Sequence, residues 1–152
     1  TKKLVSYMPY SLKREYTVQS GVEIIGDNSF CSHLFLTKVV LNEGVISIGE
    51  MAFARCAYLT NIELPSSILM IGKNAFWDCS GLTHINLPKN LTSIGASAFA
   101  CCAFLEEETL PRSIKFIGEN AFDSCPILTL KVYKKSYAHK YAEKNGLKYE
   151  LI

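Results

Sequence analysis

Long apolar runs are missing from this chain of 152 residues. No stretch approaches the 18 or more apolar residues that would cross a bilayer, so membrane insertion is not expected. The opening TKKLVSYMPY has neither an apolar core nor a small-residue cleavage site, so it is not a signal peptide. It begins at Thr1 without methionine, as expected of a processed or trimmed piece of a longer protein. Catalytic signatures are missing too: no G-x-x-x-x-G-K-[ST], H-E-x-x-H or G-x-S-x-G occurs. The three histidines, His33, His84 and His139, share no ligand spacing, and no two of the six cysteines stand as CxxC. No catalytic residue, cofactor or metal site is therefore expected, and the chain is not read as an enzyme. Basic residues are scarce where a nucleic acid would need them. Residues 1–16 and 126–152 hold ten of the sixteen Lys and Arg, and the middle has six bases against eleven acids. That excludes a basic track along the middle and, with it, a nucleic-acid partner. The basic ends read as solvated caps.

What the chain does have is repetition. Gly26, Gly49, Gly72, Gly95 and Gly118 fall 23 residues apart, each preceded by isoleucine and followed four places later by phenylalanine. A strict period of this length marks a solenoid, whose units pack only on their neighbours. The other apolar columns are Val22/Val45/Ile68/Leu91/Ile114, Leu36/Leu59/Leu82/Leu105/Leu128, Val39/Ile62/Ile85 and Leu41/Leu64/Leu87/Leu110. The Leu-x-x-Ile-x-Leu segment alternates and stops at Pro65, Pro88 and Pro111, which predicts a strand with one buried face. Stacked copies would make a continuous parallel sheet. A second extended piece is expected through Ile-x-x-Ile-Gly. One helical or 3₁₀ turn is expected after each glycine, which would allow a positive φ or a close backbone approach.

The ends must be capped, because one coil cannot bury its own apolar face. After Leu128 the pattern breaks, with Tyr133 where leucine is expected. Ser136 predicts an N-cap for a helix over 137–144 that Asn145-Gly146 stops. Ala138, Tyr141 and Ala142 share its inner face, and LKYELI is expected to add a closing strand. At the other end Tyr16 and Val18 take the slots of Val39 and Leu41, and Leu4-Val5-Ser6-Tyr7 predicts an edge strand.

With Leu-x-x-Ile-x-Leu-Pro, Ile-Gly-x-x-Ala-Phe and Cys-x-x-Leu at fixed spacing over residues 13–130, the chain resembles the BspA-type leucine-rich repeat proteins. Its last segment resembles the caps that end such chains. The resemblance implies an α/β repeat solenoid, a right-handed superhelix with parallel strands on a concave face and short turns opposite. It also implies a cell-surface or secreted protein whose role is adhesion or host-protein binding, with an extracellular or host-surface protein as partner. The organisation expected is a single domain, 1–152: a degenerate coil over 1–21, five repeats over 22–130 with the last incomplete, and a cap over 131–152. A monomer is expected. The alternative is a structural spacer in a larger surface protein, with binding done elsewhere.

Four cysteines, Cys56, Cys79, Cys102 and Cys125, form one column of the repeat. Side chains one strand spacing apart and pointing the same way do not face each other as a disulfide requires, nor converge as zinc requires. Buried thiols filling a small slot are expected. Cys31 and Cys101 lie off the column, Cys101 with an exposed position. His33 stands in the cysteine column as a core-margin residue, and His139 is read as a solvated cap residue. Trp77 is placed outside on a turn or packed against a neighbouring one. The candidate binding residues are the outward strand positions Lys38, Val40, Asn61, Glu63, His84, Asn86, Glu107 and Thr109, extended by Glu15, Thr17, Leu130 and Val132. The run Glu106-Glu107-Glu108 reads as a solvated acidic strand edge rather than a catalytic pair. Yet Glu108 falls where Ile62 and Ile85 face inward, and a buried carboxylate is costly. Either its strand is distorted or it has a partner.

Overall fold

The computed structural model describes residues 2–4 and 11–152. Of the expected first strand only Leu4 lies among them; Val5-Ser6-Tyr7 falls outside the described residues. The elements in order are β1 (Lys2–Leu4), β2 (Glu15–Thr17), β3 (Val22–Ile25), β4 (Lys38–Val40), β5 (Ser47–Ile48), β6 (Asn61–Glu63), β7 (Met70–Ile71), β8 (Ser93–Ile94), β9 (Glu107–Thr109), β10 (Phe116–Ile117), β11 (Thr129–Val132), α1 (Tyr137–Lys144) and β12 (Tyr149–Leu151). All pairings are parallel between successive turns of the chain, so the fold is a solenoid.

The Ile-x-x-Ile-Gly segments form the longer sheet, six strands in the order β1-β3-β5-β7-β8-β10. The leucine strands form two shorter sheets, β2-β4-β6 and β9-β11-β12, because residues 84–86 are not in the ladder. The expected continuous leucine sheet is therefore broken once. Between the sheets lies one apolar interior. Phe30, Phe53, Phe76, Phe99 and Phe122 run through it as a ladder of rings 4.8–5.4 Å apart and nearly parallel. Every residue of the isoleucine and phenylalanine columns and of the Leu36–Leu128 column is buried, while Leu64 and Leu87 at the strand ends are half-buried.

The segment after each glycine is neither α nor 3₁₀. Its amides alternate. Ala75 and Trp77 donate within the turn, to Gly72 O and Asn74 O, while Asn74, Phe76 and Asp78 donate to Ala96, Ala98 and Ala100 of the next coil. Asn74 and Asp78 hold φ of 53° and 57°, a left-handed conformation that no helix can continue through. The repeated glycines themselves have no positive φ; they serve close approach. A Cβ on Gly72 would stand 2.7 Å from the carbonyl carbon of Gly49, where no real side chain fits. Glycine therefore lets successive coils touch backbone to backbone.

The cap follows the sequence closely. The Ser136 hydroxyl accepts the His139 N–H at 3.0 Å, and Gly146 turns the chain at φ 63°. Ala138 and Ala142 are fully buried, and the Tyr141 hydroxyl accepts the otherwise free Ala121 N–H at 3.2 Å. β12 adds to β11 as the closing strand. His139 is not solvated: it takes the Lys135 N–H on Nδ1 and packs edge-on against Tyr149, with ring centroids 5.0 Å apart.

One expectation at the last repeat fails. β11 pairs Thr129 with Glu107 and Leu130 with Glu108, one residue short of the 23-residue register. Leu130 and Val132 are thus fully buried and Lys131 faces out, the reverse of the sequence reading. A slip of one residue flips every side chain of a strand. Two apolar residues facing inward stabilise the slipped register more than strict periodicity would.

Candidate interaction face

Each short leucine strand holds its middle residue in the core and presents its two neighbours outward. Register brings Lys38 beside Asn61 and Val40 beside Glu63. Asn61, Glu63, His84, Asn86, Glu107 and Thr109 are exposed, and Lys38 and Val40 half-buried. Glu15 and Thr17 continue the face on β2. The structure gathers all eight candidate residues on one side of the solenoid.

Charge on this face is arranged in pairs. Lys38 Nζ meets Glu63 Oε1 at 2.9 Å, and Lys131 Nζ meets Glu107 Oε1 at 2.7 Å. Each lysine is raised from its ordinary value by the hydrogen bond and charge of its glutamate. Exposed pairs of this kind add little stability, but they fix which side chains remain available. Between the two pairs lies a polar centre of Asn61, His84 and Asn86.

At that centre the ladder is rewired. Elsewhere an inward residue donates its N–H to an outward carbonyl one coil on: Leu41 to Glu63 O at 3.1 Å, and Leu110 to Lys131 O at 3.0 Å. By that rule Ile85 should donate to Glu107 O. Instead Ile85 N–H donates to Glu108 Oε1 at 2.7 Å, and Glu107 O faces His84 Nδ1 at 3.0 Å. Of the two alternatives for Glu108 the second is realised: the carboxylate has partners, its own strand β9 stays paired with β11, and it is the neighbouring segment 84–86 that leaves the sheet. His84 Nδ1 also lies 3.2 Å from Glu108 Oε1, and Nε2 lies 2.9 Å from Asn86 Oδ1. A carbonyl can only accept, so Nδ1 carries a proton. Oxygen thus faces both ring nitrogens, an arrangement that favours the protonated ring. The Asn86 hydrogen bond, the Glu107 carbonyl and the Glu108 charge raise the His84 pKa. Burial pushes Glu108 up to about 7, against the pull of the Ile85 N–H and of His84.

A second feature of this side has no counterpart in the sequence reading. Leu12, Phe35, Tyr58, Phe104 and Ile127 are 47–77% exposed and stand one coil apart, just before the leucine column. The stripe is interrupted only at Gly81, where a Cβ would meet Ala57 O at 2.6 Å. Arg14, Leu34, Phe35, Thr37 and Tyr58 line a hollow of about 510 Å³ at one end of it. The 23-residue spacing of these apolar residues was the available signal. It is overlooked when a column of hydrophobics is assumed to be core.

The remaining chemistry is structural. All six cysteines are free thiols. Cys56, Cys79, Cys102 and Cys125 each donate through sulfur to the carbonyl of the preceding coil's phenylalanine, at 3.0–3.2 Å. Burial pushes Cys56 up to about 12 and Cys125 to about 11, far from a nucleophilic thiolate. Cys101 is half-buried rather than exposed, and His33 is fully buried in the cysteine column rather than at its margin. Trp77 is half-buried, with the Arg55 guanidinium 5.6 Å from its ring. Among the described residues no three His, Cys, Asp or Glu converge to hold a metal ion, and no helix is long and apolar enough to cross a membrane.

A family model described as BspA type leucine rich repeat region matches residues 11–142 in six copies. The solved leucine-rich repeat protein of T. pallidum is 30% identical, with a TM-score of 0.81 over 85% of this chain and 62% of that one. A leucine rich cell surface protein from Faecalibacterium prausnitzii is 32% identical, with a TM-score of 0.84 over 92% of this chain and 37% of that one. The pneumococcal vaccine antigen PcpA, 20% identical, shares the fold with a TM-score of 0.80 over 99% of this chain and 44% of that one. The chain thus spans less than two thirds of each. A search of curated proteins gave no match.

Proposed function

The chain belongs to the BspA-type leucine-rich repeat family, and on that premise we propose that it is a non-catalytic protein-interaction module of a bacterial cell-surface or secreted protein, engaging an extracellular or host-surface protein through its leucine-strand face. The family is typical of bacterial surface proteins, and its repeat fold is generally a non-catalytic interaction scaffold. The observation that carries the reading is the layout of that face. Two internal ion pairs bracket an exposed polar centre of Asn61, His84 and Asn86, and a stripe of exposed apolar residues runs along its rim. Exposed aromatic residues beside polar hydrogen-bonding groups are the composition of protein-binding surfaces.

Replacing Asn61, Glu63, His84 and Asn86 together by alanine tests it. Beads coated with the variant are compared with wild-type beads for adhesion to cultured host cells, with circular dichroism as the control for folding. Adhesion is expected to fall at least several-fold. Unchanged adhesion by a folded variant refutes binding through this face and leaves the spacer reading.

A further inference from the structure

Glu108 is the only carboxylate in a column that otherwise runs through Tyr16, Val39, Ile62 and Ile85, and it is 1% exposed. Its Oε1 holds the Ile85 N–H, while Oε2 has no hydrogen-bond partner. His84 lies over it with a side chain 57% exposed, so solvent protons reach the buried carboxylate through the imidazole. The charged groups around the pair can be named element by element. β9 itself contributes Glu107, with Glu106 just before it. On the preceding side stand His84 and, one coil further, Glu63, already paired with Lys38. On the following side β11 contributes Lys131, already paired with Glu107. His84 is therefore the one uncommitted positive charge beside Glu108.

We propose that the Glu108–His84 pair is a proton-held latch in the binding face: while it keeps its shared proton, residues 84–86 stay fastened to β9, and loss of that proton releases them. With the proton present, the pair is neutral overall and replaces the missing ladder bond on both sides. Without it, a net negative charge sits in an apolar column beside Glu107 and Glu106, with one carboxylate oxygen unsatisfied. The carboxylate then leaves for solvent and frees the Ile85 N–H, and His84 and Asn86 move with it. A second proton, taken up below about pH 7, only neutralises the carboxyl; its carbonyl oxygen still accepts from Ile85. The latch therefore holds in acid and at neutral pH and opens in alkali. That its opening withdraws the face from a partner rests on the binding reading above; the latch itself does not.

Amide hydrogen exchange of the whole chain, followed by NMR between pH 6 and pH 9, tests the latch without any ligand. Leu41, an inward residue whose N–H makes the regular ladder bond to Glu63 O, is the internal reference for intrinsic exchange. Protection of Ile85 relative to Leu41 is expected to fall several-fold across this range, because the closed segment holds its proton to higher pH than the open one. In Glu108→Ile, and in Glu108→Gln should the first variant fold poorly, the ratio is expected to stay constant. A constant ratio in the wild type, or an equal fall in the variants, overturns the proposal. A face that binds nothing would leave these ratios unchanged, so the two proposals fail separately.

Discussion

Replacing Glu108 by isoleucine should stabilise the protein, and by an amount that depends on pH. In the fold the Glu108 carboxyl keeps its proton up to about pH 7, against an ordinary value of 4.5. Folding therefore takes up a proton between these values, and stability falls as pH rises through that window. Each pKa unit corresponds to about 1.4 kcal/mol, so the ionised carboxylate costs about 3 kcal/mol once the pH is above 7. His84, also raised, acts in the same direction: its contribution is full below its unfolded value and lost as pH rises through its folded one. Isoleucine removes this cost and matches Val39, Ile62 and Ile85 in the same column. It also leaves Ile85 N–H free to make the regular bond to Glu107 O. For a chain of this size about 3 kcal/mol corresponds to a rise in Tm of roughly 6–12 °C. Thermal melts of wild type and Glu108→Ile at pH 5 and pH 8 check it. The gain should be large at pH 8 and much smaller at pH 5. Equal gains at the two pH values, or no gain at pH 8, would show that the buried carboxylate is not the source of the cost.

Gly72→Ala should destabilise by several kcal/mol, because its Cβ meets the Gly49 backbone with nowhere to go. Gly44→Ala, at φ 99° with open space around it, should cost only about 1 kcal/mol, and urea titrations of the two variants compare them directly. Alkylation of the native protein at pH 8, read by mass spectrometry, should modify Cys31 and Cys101 well before Cys56, Cys79 and Cys102, which are fully buried donors to backbone carbonyls. Rapid labelling of Cys79 in the folded chain would contradict the closed interior.

Columns and caps were legible in the sequence because each follows from a local rule repeated in register. Phe76 must face inward for the same reason as Phe53, and Ser136 caps a helix whatever lies beside it. What escaped depends on competition between rules. The strand of the last repeat obeys burial rather than period, so Leu130 and Val132 turn in and Lys131 turns out. The turns after glycine share their amides with the next coil, a bond that no single repeat reveals. Glu108 was visible as an anomaly, but the exchange of one ladder bond for two side-chain bonds required the neighbouring coil. On the candidate face, alternation located the eight outward residues. The stripe through Phe35, Tyr58 and Phe104 went unread because its period is that of the core beside it.

The bare backbone contact at each glycine has a consequence for how such a chain can grow. With Gly72 seated against Gly49, and the phenylalanine rings repeating at 5.3 Å, the pitch is set by atoms that every repeat shares. The outward side chains are therefore graduations on a ruler. Duplicating one block of the repeat lengthens the scale by a single division and leaves every existing mark in place. Reach and chemistry can thus be altered independently, reach by the number of blocks and chemistry by the residues beside each strand.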